Sequence, residues 1–128
     1  PTNPLICKEL VGIDVFKPWL REYEGHKVLG DVQHLPFREK SFDVVLALDV
    51  LEHLEFLGAV RVLDQIEKLA RKKIIIYTPS KFTVQNDLEN PFNKHGCFVA
   101  PHFLEGRGYQ TSFPAPDHNT YAIKEMKE

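Results

Sequence analysis

Three acidic residues of this chain, Asp14, Asp31 and Asp49, each close a short apolar run. In an open α/β sheet the ligand crevice lies beyond the carboxyl ends of the strands, so these acids stand where binding groups are expected. At the end of a first strand, Asp14 can accept hydrogen bonds from both hydroxyls of a ribose, or it can cap a following helix. Asp31, with Gln33 two residues on, can meet the edge of an adenine. The structural alternative is an Asx turn leading to Pro36. Asp49, Val50, Leu51 and Glu52 have the pattern of a capping box, in which both acidic side chains satisfy free amides at a helix start. His53 follows, and an imidazole there can act as a general base or orient a substrate, or simply pack or cap. The other histidines, at positions 26, 34, 95, 102 and 118, have no metal-ligand spacing. No GxSxG, HExxH or GxxxxGK[ST] string occurs, which removes the common hydrolase, zincin and phosphate-loop signatures.

The elements that must position these residues follow from the apolar pattern. LVGIDV, residues 10–15, is short and β-branched and reads as a buried strand. Pro18 suits a first helical position, so 18–23 reads as a short helix that Gly25 ends. KVLGD, 27–31, reads as a second strand. FDVVLAL, 42–48, is apolar on both faces and reads as a central strand covered on each side. From 58 to 70 the apolar residues Val62, Leu63, Ile66, Leu69 and Ala70 recur at helical spacing. Arg71, Lys72 and Lys73 are then expected at that helix's end, where cations stabilise free carbonyls. KIIIYT, 73–78, is a further buried strand that Pro79 closes. Residues 80–96 are rich in Asn, Asp and Pro and predict a long loop. A short helix over 97–105 precedes two strands, 109–113 and 120–124, around a 114–119 turn. Strands that alternate with helices and then close on a hairpin predict a mostly parallel α/β sheet with an antiparallel edge.

Bulk properties narrow the class. The 128 residues suit one domain. With 43% hydrophobic and 27% charged residues, the composition is that of a globular protein. A net charge of -2 gives no field to gather nucleic acid or anionic lipid. No apolar run approaches the roughly 20 residues a spanning helix needs, and residues 1–10 have no leader pattern. A cytoplasmic location is the expectation. Cys7 and Cys97 have no zinc or redox spacing and read as small core thiols.

VGIDV, then GDVQHLPF, then SFDVVLALDVLEHL, in this order and spacing, resembles the class I S-adenosylmethionine-dependent methyltransferases, in particular the type 11-like group that acts on small molecules. The likeness runs from about residue 10 to 124. It implies a Rossmann-like sheet and S-adenosyl-L-methionine as cofactor. It also implies ribose contact by the acid matching Asp14, adenine contact by Asp31 and Val32, and passage of Ala47, Leu48 and Asp49 beside the methionine part. The turn with Glu52 and His53 would lie near the substrate, which makes His53 the candidate catalytic residue. A small-molecule acceptor is implied, which the 80–96 segment leaves unread.

The chain departs from the family at its front, because the family's first strand, glycine-rich loop and helix have no counterpart, and Pro1 to Glu9 contain no glycine. That loop lets backbone approach the cofactor closely. The family's first strand lies between those matching 10–15 and 42–48, so each would face an open ladder position. Residues 2–7, a second copy in a homodimer, direct pairing, or an amino-terminal part outside this sequence would resolve this, and the last is the expectation. The rival function is a non-catalytic, partner-binding or scaffolding module of methyltransferase ancestry. A nicotinamide-dependent dehydrogenase would need the same glycine fingerprint and has nothing matching LPF followed by FDVV.

Overall fold

The computed structural model describes residues 9, 11–14, 25–79, 96–112 and 119–127. The expected helix over 18–23, nearly all of the 80–96 loop, the 114–119 turn except its last residue, and Cys7 lie outside these residues. Two compact units divide the chain, Pro1–Leu35 and Pro36–Glu128.

In the first unit, β1 (Val11–Asp14) pairs in parallel with β2 (His26–Leu29), with Asp14 beside Leu29. The β-branched and apolar residues Val11, Ile13 and Val28 are half-buried, as a pleated, partly covered pair requires. The outer residues of the expected first strand, 10 and 15, lie outside the described residues, and β2 starts one residue earlier than expected and ends before Gly30 and Asp31.

The second unit holds a four-stranded sheet in the order β3-β4-β6-β5. β3 (Phe42–Leu48) runs parallel to β4 (Ala70–Pro79), while β6 (Asn119–Glu125) pairs antiparallel with both β4 and β5 (Gln110–Ser112). A 3-10 turn, η1 (Leu51–His53), and helix α1 (Phe56–Leu69) connect β3 to β4. Helix α2 (Pro101–Gly106) begins with Pro101, whose fixed φ and missing amide hydrogen suit a first helical position. The whole is a mixed α/β fold with parallel pairs and a closing antiparallel hairpin, as the sequence predicts.

The core lies on one face of this sheet. α1 turns Ala59, Val62, Leu63 and Ile66 toward β3 and β4, and Ala47, Ile74, Ile76, Thr78, Thr120 and Ala122 are buried from the strand side. On the opposite face Val44 is 46%, Leu46 36% and Leu48 52% exposed. Among the described residues β3 is therefore an edge strand with one covered face, not a central strand covered on both.

Two further expectations need correction. Arg71 to Lys73 do not end a helix, because α1 stops at Leu69 and β4 begins at Ala70. Two of them instead pair across strands: Arg71 Nε donates to Asp43 Oδ1 at 2.8 Å, and Lys73 Nζ lies 3.4 Å from Glu125. The Arg71 guanidinium holds the Asp43 carboxyl below its usual range. The helix expected over 97–105 is confined to α2, and residues 97–100 run without helical structure. At the far end of α1, Arg107 donates to Glu67 at 3.0 and 2.8 Å and to Asp64 at 2.5 Å, and Tyr109 Oη donates to Glu67 at 3.0 Å. Hydrogen bonding to Glu67 raises the Arg107 pKa, and burial raises that of Tyr109, so at ordinary pH the guanidinium stays charged and the phenol keeps its proton.

Candidate functional site

Each unit presents acids at the carboxyl ends of parallel strands. In the first, Asp14 is the last residue of β1, and Asp31 comes two residues after the neighbouring parallel strand ends. Asp31 is exposed, and its Oδ1 accepts from the Gln33 amide at 2.8 Å while the Asp31 carbonyl accepts from the His34 amide at 2.9 Å. The Asx turn is thus real, and it holds the carboxylate at the rim in a defined pose. Val32 is half-buried on that turn.

In the second unit Asp49 follows β3 directly. Its φ of 58° is left-handed, a conformation that Asp tolerates better than most residues. The chain turns sharply there, and the Asp49 amide donates to the Tyr77 carbonyl at 2.9 Å. Just before it, Ala47 is buried against the helix side and Leu48 is exposed on the opposite face. The expected capping box does not form. Val50, not Asp49, is the N-cap of η1, no side chain caps it, and the longer helix starts only at Phe56. The left-handed turn at Asp49 redirects the chain before a regular helix can start, which frees Glu52 from a capping role.

Glu52 points inward, its side chain 3% exposed. Its Oε1 accepts from Thr78 Oγ1 at 3.2 Å, at the end of β4, and its Oε2 lies 3.6 Å from His53 Nε2. The Glu52 carbonyl accepts from the amides of Gly96 at 2.7 Å and Cys97 at 3.3 Å, and Cys97 Sγ donates to the Leu51 carbonyl at 3.4 Å. Burial, with repulsion from Asp49, pushes the Glu52 carboxyl up to about 7 against the hydrogen bonds that stabilise its charge. The Cys97 thiol is also pushed up by burial, with the charge of Glu52 adding to it, so it is a structural thiol rather than a ready nucleophile. Across the ladder from Thr78 stands Thr120, fully buried, whose hydroxyl has no hydrogen-bond partner among the described residues.

Asp49, Glu52, His53, Thr78 and Cys97 therefore form one rim cluster, while Asp14 closes β1 and Asp31 follows the end of β2. The sequence points to Asp49 and His53 and gives Glu52 a capping role, whereas Thr78 and Gly96 enter only through the structure. Thr78 carries a signal, a small hydroxyl side chain that closes the KIIIYT run just before a proline. Among the described residues no group of three or more His, Cys, Asp or Glu is arranged to hold a metal ion, and no helix is long and apolar enough to cross a membrane.

Comparison with known proteins defines the class. Residues 2–78 match the family described as "Methyltransferase domain", and the chain belongs to that family. An uncharacterized protein of Methanocaldococcus jannaschii is 32% identical over 66 residues, 52% of this chain and 29% of that protein, so the match spans less than a third of the relative's length. A crystal structure of a Pyrococcus horikoshii protein superposes with a TM-score of 0.68 at 19% identity, covering 93% of this chain and 72% of that one. The N-methyltransferase NodS of Bradyrhizobium japonicum, solved with S-adenosyl-L-homocysteine, gives 0.61 at 13% identity, covering 95% and 68%. At these identities the structural likeness shows the shared fold.

Proposed function

We propose that the protein transfers a methyl group from S-adenosyl-L-methionine to a small-molecule acceptor. The observation that carries this reading is the placement of Asp14, Asp31 and Asp49, each at or just beyond the carboxyl end of a parallel strand in a chain of the methyltransferase family. The donor set fits the cofactor: its ribose hydroxyls, adenine amine and α-amino group all donate hydrogen bonds, and carboxylates accept them. Asp14 would hold the ribose, Asp31 and Val32 the adenine, and Ala47, Leu48 and Asp49 the methionine part. When bound, the cofactor supplies an electrophilic methyl group. The protein's share is to fix donor and acceptor in line, which requires positioning more than a nucleophile of its own. His53 stands on the turn after Asp49 and takes up the proton that a nitrogen or oxygen acceptor sheds. S-Adenosyl-L-homocysteine bound to NodS supports the same ligand here.

Isothermal titration of the full chain with S-adenosyl-L-homocysteine tests the reading. Micromolar binding that Asp14→Ala abolishes is the expected result, and absence of heat at millimolar ligand would remove the catalytic reading of this chain.

A further inference from the structure

The cluster at the end of β3 and β4 contains a buried carboxyl, that of Glu52, to which the proposed chemistry gives no role. We propose that Glu52 is the positioning residue of His53: it locks η1 to β4 and to the 96–100 segment, and its charge governs how readily the imidazole holds a proton. This rests on the methyl-transfer reading for the use made of His53, but not for the coupling itself.

Three elements meet on this one residue. The side chain takes the Thr78 hydroxyl from β4, and the main-chain carbonyl takes the Gly96 and Cys97 amides from the 96–100 segment. The third element is η1 itself, which carries Glu52 and His53 side by side. The turn that presents His53 is therefore held from two directions without a capping side chain. Gly96 is shaped for this contact, since a Cβ there would lie 2.6 Å from the Leu54 carbonyl oxygen.

Among the described residues the groups facing the carboxyl are Asp49 ahead of the turn, His53 on it, Thr78 from β4 and Cys97 from the 96–100 segment. Asp49 repels a charge on Glu52 and accepts a hydrogen bond from its protonated form, Thr78 stabilises the charge, and the thiol is neutral at ordinary pH. Of these, His53 alone can carry a positive charge. An ionised Glu52 at 3.6 Å favours the imidazolium, and an imidazolium favours ionised Glu52, so the two titrate as a pair. The carboxyl's shift to about 7 brings it close to the ordinary imidazole range near 6.5, which is the condition for a proton to be shared. A buried carboxyl at its ordinary value would be ionised throughout and could only fix the ring.

The test is an NMR titration of the His53 ring nitrogens in the full chain, without ligand, for wild type and Glu52→Gln. Gln keeps an acceptor for Thr78 and the main-chain bonds but has no charge. The expected result is a His53 midpoint lower by about one pH unit in Glu52→Gln, with the Gly96 and Cys97 amide resonances in place. An unchanged midpoint would overturn the proposal. Should the variant fail to fold, the labelled Glu52 carboxyl is titrated in wild type. A shared inflection with His53 is expected, and independent single-step curves would overturn the coupling. Failure to bind S-adenosyl-L-homocysteine would sink methyl transfer while leaving these titrations intact, so the two ideas fail separately.

Discussion

At the scale of single residues, the second unit is organised around close approaches that side chains of the right size permit. Gly96 abuts the Leu54 carbonyl and the Glu55 amide so tightly that an added methyl group must displace backbone rather than a flexible side chain. Overpacking of this kind costs about 1 to 3 kcal/mol. Gly96→Ala is therefore expected to lower the urea midpoint by a corresponding amount, and also to loosen the Gly96–Glu52 hydrogen bond. Hydrogen exchange at the Gly96 amide measures the second effect. Protection equal to wild type would show that the 96–100 segment docks on η1 by some other contact.

At the scale of elements, the two faces of the β3–β4 ladder make opposite demands. Ile74 and Ile76 are fully buried beneath α1, whereas Leu48 is half exposed at the end of β3. Truncation on the covered face removes packing and leaves a cavity, so Ile74→Ala is expected to cost about 2 to 5 kcal/mol. Leu48→Ala, on the uncovered face, is expected to cost about 0.5 kcal/mol or less in the same chain. Denaturant titration of both variants checks the contrast, and equal losses would mean that the face bearing Val44, Leu46 and Leu48 is packed in solution. The same face carries the Tyr77 and Tyr121 rings, 4.6 Å apart across the ladder. Cross-strand aromatic pairs of this sort stabilise the register by roughly 0.2 to 1 kcal/mol.

At the scale of the whole molecule, the buried carboxyl of Glu52 makes stability depend on pH. Its folded value of about 7 lies above the ordinary 4.5, so between these values the folded chain binds the proton that the unfolded chain has lost. Stability from this group is fully present below the ordinary value and is lost as pH rises through 7. The urea midpoint followed by circular dichroism is expected to fall as pH rises from 5.5 and to level off above pH 7, by a free energy of at most about 2 kcal/mol. Glu52→Gln should flatten that slope. Asp43 and Glu105 act in the opposite sense, since Arg71 and Thr111 lower their values, and what they contribute is lost only as the solution is acidified. They are exposed, and their share is small. A midpoint that rises from pH 5.5 to 8.5 would contradict the buried placement of Glu52.

The linear sequence by itself determined where the strands run and which acids close them. β1, β3, β4 and the β5–β6 hairpin fall within a few residues of their expected positions, because a β-branched apolar run bounded by Gly, Pro or a charge is a local signal. Asp14, Asp31 and Asp49 follow from it, being neighbours of those runs along the chain. Only the tertiary structure decided that Asp49 turns left-handed instead of capping, that Glu52 is buried against Thr78, and that Arg71 belongs to a strand. It also decided which face of β3 is covered. Each of these depends on atoms brought together from distant positions, as Glu52 with Thr78 and Gly96, and the free energy of such contacts is set by burial and partner geometry that no stretch of neighbouring residues encodes.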